Sequence, residues 1–259
     1  SLLFEEYRAF YHKKDDFRRT LEDYFEAISE LEIYYLGANP SKQSGLFNVR
    51  DKGNALAQSI HKFYQLGILK DKGSEAYRFL IKWMSDKGFN IGSDLEVVMH
   101  GGEAYDVKIS NSEGKLSLAD KGMGSIQAML LLFRIASIIQ LKKGHHSVSK
   151  VIVEEPELNL HPNYQSKLAE LFYDVWKEFG IEFIIETHSE YIIRKSQVLV
   201  SEKELEKSPN ENPFNILYLD LNSKTPRYSI HYESDGVLSR TFGKGFFDEA
   251  TDSNLTLLK

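Results

Sequence analysis

VIVEEPELNLHP (151–162) and FIIETHS (183–189), with one helical pattern between them, decide the fold of this 259-residue chain. Val151, Ile152 and Val153 are β-branched and uninterrupted by polar residues, as a strand buried on both faces requires. Glu154 and Glu155 then stand at its exposed tip. Pro156 has no N–H for a ladder and stops the strand, and the turn-rich 159–162 leads into a helix over 163–179. Tyr164, Leu168, Leu171, Phe172, Val175, Trp176 and Phe179 form that helix's apolar stripe, and Gly180 suits its C-cap. A second short strand over 183–186 ends in Thr-His-Ser, and 189–195 opens another helix. The unit is β-α-β with a right-handed crossover. Its acids and its imidazole fall at adjacent strand ends, the edge where open parallel sheets bind ligands.

Hydrolysis of a nucleoside triphosphate needs a carboxylate that holds magnesium through its waters, a group that orients the attacking water, and a sensor of the γ-phosphate. Glu154, Glu155 and His188 fit those roles in that order. Taken singly, paired glutamates are common surface residues and a lone histidine at a strand end is often structural. The joint pattern is what points to chemistry.

Upstream, LSLADKGMGSIQAMLLLFRIASIIQL (116–141) places Gly122 and Gly124 in a short loop before an almost wholly apolar helix that Ser125 can cap. A glycine loop feeding a helix N-terminus offers N–H groups and a positive dipole end to an anion. By itself the stretch reads equally well as an ordinary loop before a buried helix.

Together ADKGMGSIQ, EEPELNLHP and IIETHSE resemble the ATP-binding-cassette class of P-loop ATPases, and within it the soluble OLD-like and RecF/SMC-related ATPases, from Ile33 to the C-terminus. GFFDEA (245–250) is similar to the tails of a subgroup of these. The resemblance implies an α/β P-loop NTPase C-terminal half with parallel core strands, flanking helices and C-terminal antiparallel strands. It implies a cytoplasmic protein using ATP and Mg2+ as a head-to-tail homodimer with nucleotide at the interface. Lys121, Gly122, Gly124, Ser125 and Gln127 fall in a degenerate signature loop facing a partner subunit's γ-phosphate. Glu154 takes the magnesium-side acid position of Walker B, Glu155 the catalytic base, residues 157–161 with His161 the D-loop, and His188 the switch histidine. The usual Ser-Gly-Gly-Gln run is absent, which leaves open which signature side chain touches phosphate. DNA repair, phage defence or a toxin-like partner protein are the loads such a switch serves.

Walker A requires Gly, four residues, then Gly-Lys-Ser/Thr. The only Gly-Lys pairs, Gly114-Lys115 and Gly243-Lys244, are followed by Leu and Gly and have Ile109 and Leu238 where the first glycine belongs. With a chain starting at Ser1, we expect an N-terminal lobe carrying Walker A that has been removed or lies on another polypeptide. This chain alone should bind ATP poorly and hydrolyse none.

Residues 1–32 are charge-rich, with Phe17, Leu21, Tyr24, Ile28 and Leu31 at four-three spacing, which fits a returning helical arm or a plain core-packing helix. Residues 33–259 form one ATPase lobe with a C-terminal β extension from about 213. Within it a strand spans 33–36, and a turn-rich loop carries Lys42 on toward Arg50. Helices span 54–66 and 74–87, and a hairpin pairs 95–99 with 105–109. Strands at 214–221, 228–232 and 237–241 extend the sheet edge.

A 42% hydrophobic chain of this length builds one substantial core. It has no cysteine, which excludes disulfides and thiolate metal sites. Apolar runs broken as at Arg134 predict no membrane span. A net charge of −6 disfavours broad nucleic-acid binding, and the Lys142, Lys143, His145, His146 cluster is too small to overrule it. Two other readings stand beside the ATPase. One is a metal-dependent nuclease using Glu154, Glu155, Glu157, His161 and His188, although Asp220-Leu221-Asn222 lacks the Asp-x-Asp of Toprim nucleases. The other is a non-catalytic dimerisation or partner-binding module.

Overall fold

The computed structural model describes residues 31–37, 46–112, 114–143, 148–203, 212–220, 226–248 and 256. Its first half runs β1 (Leu31–Leu36), β2 (Phe47–Asn48), α1 (Ala55–Gln65), α2 (Glu75–Met84), β3 (Asp94–His100), β4 (Ala104–Asn111) and β5 (Gly114–Ser117). The second half runs α3 (Met123–Lys142), β6 (Val148–Glu154), α4 (Pro162–Phe179), β7 (Ile181–Glu186), α5 (Glu190–Glu202), β8 (Ile216–Leu219) and β9 (Arg227–Ile230).

β1, β6 and β7 form a parallel sheet in that order, with Tyr35 beside Ile152 and Glu154 beside Glu186. The expected β-α-β unit is present, closed by Gly180 in the left-handed conformation at φ 61°. The expectation that β6 is buried on both faces is corrected. Val151 and Val153 are buried, but Ile152 between them lies on the opposite face and is only half-buried. On that second face Ile33 is 62% and Ile184 59% exposed. The reason is that the helices touching the sheet cover one side: Phe172 of α4 meets Phe183 at 4.8 Å, and Leu36 and Val153 line a pocket with Leu130 and Leu131 of α3.

α3 is the centre of the core. Thirteen of its twenty residues are buried, and α1 and α2 pack on it, Phe63 meeting Phe133 at 4.8 Å. By length and apolarity alone α3 passes for a membrane span, but most of it is buried inside the fold. Asn54 and Ser74 cap α1 and α2 by accepting from Ala57 and Tyr77 N–H, as four unpaired donors at each helix start demand. α2 stops at Met84, earlier than expected, because Ser85 turns extended and the chain folds back to bond Trp83 and Met84 carbonyls.

Beyond α1 lies an antiparallel sheet with β4 at its centre, β3 on one side, and β2 and β5 sharing the other. The hairpin was expected; β2 and β5 were not. Tyr105 fixes this sheet to α1, its hydroxyl 2.7 Å from His61 Nδ1.

Other expectations fail or fall outside the described residues. β8 and β9 make a separate two-stranded sheet rather than an edge extension, and 237–241 contributes only a Tyr232–Leu238 bridge. The cause is local: Gln197 of α5 donates to the Gly236 carbonyl at 2.8 Å, clamping that segment to α5. Of the helical arm, residues 1–30 lie outside the described residues, as does Lys42, while Leu31 and Glu32 already belong to β1. Phe246 and Phe247 of the GFFDEA tail pack with Phe242 and Tyr218.

Candidate functional site

The acid tip is shaped by a change of backbone hand. Glu154 continues the alternation of β6 and sits on the open face. Glu155 then adopts φ 43°, a conformation that costs a glutamate of order 1–3 kcal/mol and persists where the surroundings enforce it. Its N–H still reaches β7, bonding the Glu186 carbonyl at 2.9 Å. The two neighbouring acids therefore serve different partners. Tyr35 on β1 hydrogen-bonds Glu154, and that bond, with desolvation and the charges of Glu154 and Glu186, raises the phenol's pKa. Glu155 Oε1 lies 3.8 Å from His188 Nε2, an ion-pair distance rather than a hydrogen bond.

The loop after Glu155 closes on itself through Leu158 N–H to Glu155 O and Leu160 N–H to Glu157 O, with Asn159 at φ 62°. His161 serves as N-cap of α4, its Nδ1 accepting from Asn163 N–H at 3.3 Å, and Pro162 takes the first helical position. On the facing strand, Thr187 Oγ1 accepts from Ser189 N–H, and Ser189 caps α5 by accepting from Ile192. Gln165 ties the two loops: it donates to the Leu160 carbonyl at 3.0 Å and accepts from Ser189 Oγ at 2.6 Å. His188 itself is 68% exposed and Glu155 34%, so both face solvent at the strand edge.

The glycine loop meets this platform from below. Gly122, not Ser125, is the N-cap of α3, with no capping side chain; Ser125 sits in the first turn with its N–H on the Gly122 carbonyl. That corrects the expected cap, since the helix starts three residues earlier. The two glycines differ in necessity. A Cβ on Gly122 meets nothing within 4 Å, whereas one on Gly124 would lie 2.8 Å from the Asn159 carbonyl oxygen. Close approach of α3 to the acid-bearing loop thus requires glycine at 124. Lys121 turns its ammonium to the Ile91 carbonyl at 3.0 Å. Gln127 points inward, 8% exposed, its Oε1 without a partner, in a small pocket of about 20 Å³ shared with Arg134 and Glu154.

So the fold brings Glu154, Glu155, His161 and His188 to one edge and sets Gly124 and Gln127 directly behind it. Two contributors escaped the sequence reading: Tyr35 and Glu186 become neighbours of Glu154 only through parallel register. Glu157, expected in the D-loop or as a metal ligand, accepts from the His188 peptide at 2.7 Å. Period-two alternation put Glu154 and Glu186 each on a face, but not which faces coincide. The many-ligand metal centre of the nuclease reading is not assembled: among the described residues no three acids or histidines are grouped to hold a metal ion. Nor does Lys142 form part of a nucleic-acid patch, because its ammonium is bonded to the Phe179 and Gly180 carbonyls at the end of α4.

The family model described as AAA ATPase domain matches residues 5–193. Among solved structures, the Smc head domain of Pyrococcus furiosus, with an extended coiled coil and bound to the C-terminal domain of ScpA, is similar at a TM-score of 0.39 and 12% identity. That match covers 78% of this chain and 44% of the Smc chain. No curated protein matches the sequence.

Proposed function

The chain belongs to the AAA ATPase domain family, and on that premise we propose that it is the C-terminal lobe of an ATP-binding, ATP-hydrolysing and dimerising ATPase of the ABC/OLD-like kind. The observation that carries this reading is the gathering of Glu154, Glu155 and His188 at two adjacent parallel strand ends, with 3.8 Å between Glu155 and the imidazole. The donor set suits magnesium: Glu154 offers hard carboxylate oxygen at a half-exposed tip, beside Glu186 in the next strand. Magnesium, when bound with the triphosphate, would supply positive charge against that developing on the phosphoryl group. Glu154 would hold the ion through its water shell. Glu155 orients a water and takes its proton as the water oxygen bonds the γ-phosphorus and the bond to the bridging oxygen breaks. His188, exposed beside it, contacts the γ-phosphate.

A Gly-x4-Gly-Lys-Ser/Thr loop is not in this sequence, and we assign the gripping of the phosphates to a further lobe. Two features support that assignment. Parallel strands are ordinarily covered on both faces, yet Ile33, Tyr35 and Ile184 stand exposed on one. Among the described residues no strand lies beyond β7. The N-terminus of α3, which no side chain caps, suits a signature loop offered to nucleotide on a second copy.

The test uses the full-length protein. Glu155→Gln should keep ATP binding, lose hydrolysis, and form a dimer with magnesium ATP in light scattering. Turnover at the wild-type rate, or a monomer under those conditions, refutes the proposal.

A further inference from the structure

We infer that Glu157 is a positioning residue: its carboxylate holds the peptide of His188, and with it the imidazole, against the loop that carries Glu155. The inference deepens the ATPase reading and rests on it. Glu157 Oε1 accepts the His188 N–H at 2.7 Å, joining positions 31 residues apart. Its other oxygen, Oε2, is shut off from solvent and has no partner. A carboxylate that surrenders hydration of one oxygen while the other grips a single peptide is not a solubilising surface acid. The bond is charge-assisted, the stronger class of hydrogen bond.

Position determines what the bond does. His188 lies two residues past the end of β7 and one before the cap of α5, so neither the sheet ladder nor the helix ladder holds its amide. The neighbouring amide, that of Ser189, is bonded locally to Thr187 Oγ1. Glu157 supplies the restraint that links His188 to the opposite loop. That loop is itself rigidly tied, by Glu155 N–H to the Glu186 carbonyl and by Leu160 N–H to the Glu157 carbonyl. Gln165 bridges the two loops at Leu160 and Ser189, and the Glu157 bond is the one that holds the His188 peptide itself. The D-loop role implied for 157–161 concerns a second copy; this carboxylate faces its own chain's histidine instead.

The experiment is a double-mutant cycle in the full-length protein, with Glu157→Ala, Glu157→Gln, His188→Ala and the doubles. Misplacing a reacting group by about an ångström costs on the order of 100-fold in rate, so Glu157→Ala should lower kcat by about 10- to 100-fold with nucleotide affinity kept. Glu157→Gln, which retains an acceptor, should recover part of it. Added to His188→Ala, either change should do nothing further, because Glu157 acts through that residue. Hydrogen exchange at the His188 amide, followed by NMR, should quicken in Glu157→Ala and less so in Glu157→Gln, while thermal melting confirms that each variant is folded. Additive rate losses, or an unchanged His188 amide, overturn the inference. If the wild type hydrolyses no ATP, the ATPase reading fails by itself, and the amide measurement still decides whether Glu157 holds His188.

Discussion

Gly124→Ala is the sharpest probe of how α3 and the acid loop are joined. The added Cβ lies 2.8 Å from the Asn159 carbonyl oxygen and 3.6 Å from Leu160 Cδ2. An unstrained carbon–oxygen contact sits at about 3.3–3.6 Å, so something must move by about half an ångström. α3 is held along its length by thirteen buried residues, which leaves the loop to give way. Forcing an extra carbon into a packed site costs about 1–3 kcal/mol. Alanine returns up to about 1 kcal/mol of helix propensity over glycine, which leaves a net loss of about 1–2 kcal/mol. For a chain of this size each kcal/mol moves Tm by about 2–4 °C. We therefore expect Gly124→Ala to melt several degrees lower by circular dichroism and to lose turnover in the full-length protein as Glu155 shifts. Gly122→Ala is the control, since its Cβ enters open space at φ −61°; its cost is that of an alanine N-cap, about 0.5–1 kcal/mol. Equal stability of the two variants, or a more stable Gly124→Ala, would refute the close approach.

Further outcomes follow from other parts of the fold. Burial pushes the Tyr232 hydroxyl up to about 12, partly opposed by its bond to Ser196. Because the folded value exceeds the unfolded one, that contribution to stability is full below about pH 10 and fades toward pH 12. The 295 nm absorbance difference between wild type and Tyr232→Phe should appear only at the upper end of that range while the circular dichroism signal persists; a step at pH 10 contradicts it. Glu170 is pushed up by partial burial but brought below its ordinary value overall by Lys195 at 2.9 Å and Lys167 at 3.0 Å. Its contribution is present above the unfolded carboxylate pKa and lost as pH falls through the folded one, so urea melts should show Glu170→Gln weaker by about 1 kcal/mol at pH 7 and equal to wild type in acid. Ile184→Lys falls on the open face and should change the stability of this chain by less than about 0.5 kcal/mol, whereas Val153→Lys on the covered face should unfold it. A large loss from Ile184→Lys would mean that the face is already covered.

The β-α-β unit, its caps and the acidic and histidine tips were legible from apolar spacing and turn residues, because those depend on neighbours a few positions away. Gly180 at the end of α4 and Asn54 and Ser74 at the starts of α1 and α2 belong to the same local chemistry. The C-terminal strands misled for the converse reason. Their alternation is real, but whether a strand joins an existing sheet depends on what else competes for it, and Gln197 takes the Gly236 carbonyl.

Residue order alone therefore determined that carboxylates and an imidazole lie at neighbouring strand ends, since strand period and crossover length leave little choice. Only the tertiary structure decided that Glu154 turns to Tyr35 while Glu155 turns to His188, that glycine is required at 124 and not at 122, and that Glu157 grips the His188 peptide. Those outcomes depend on register and on close approach between segments more than thirty residues apart, and no local propensity encodes such distances.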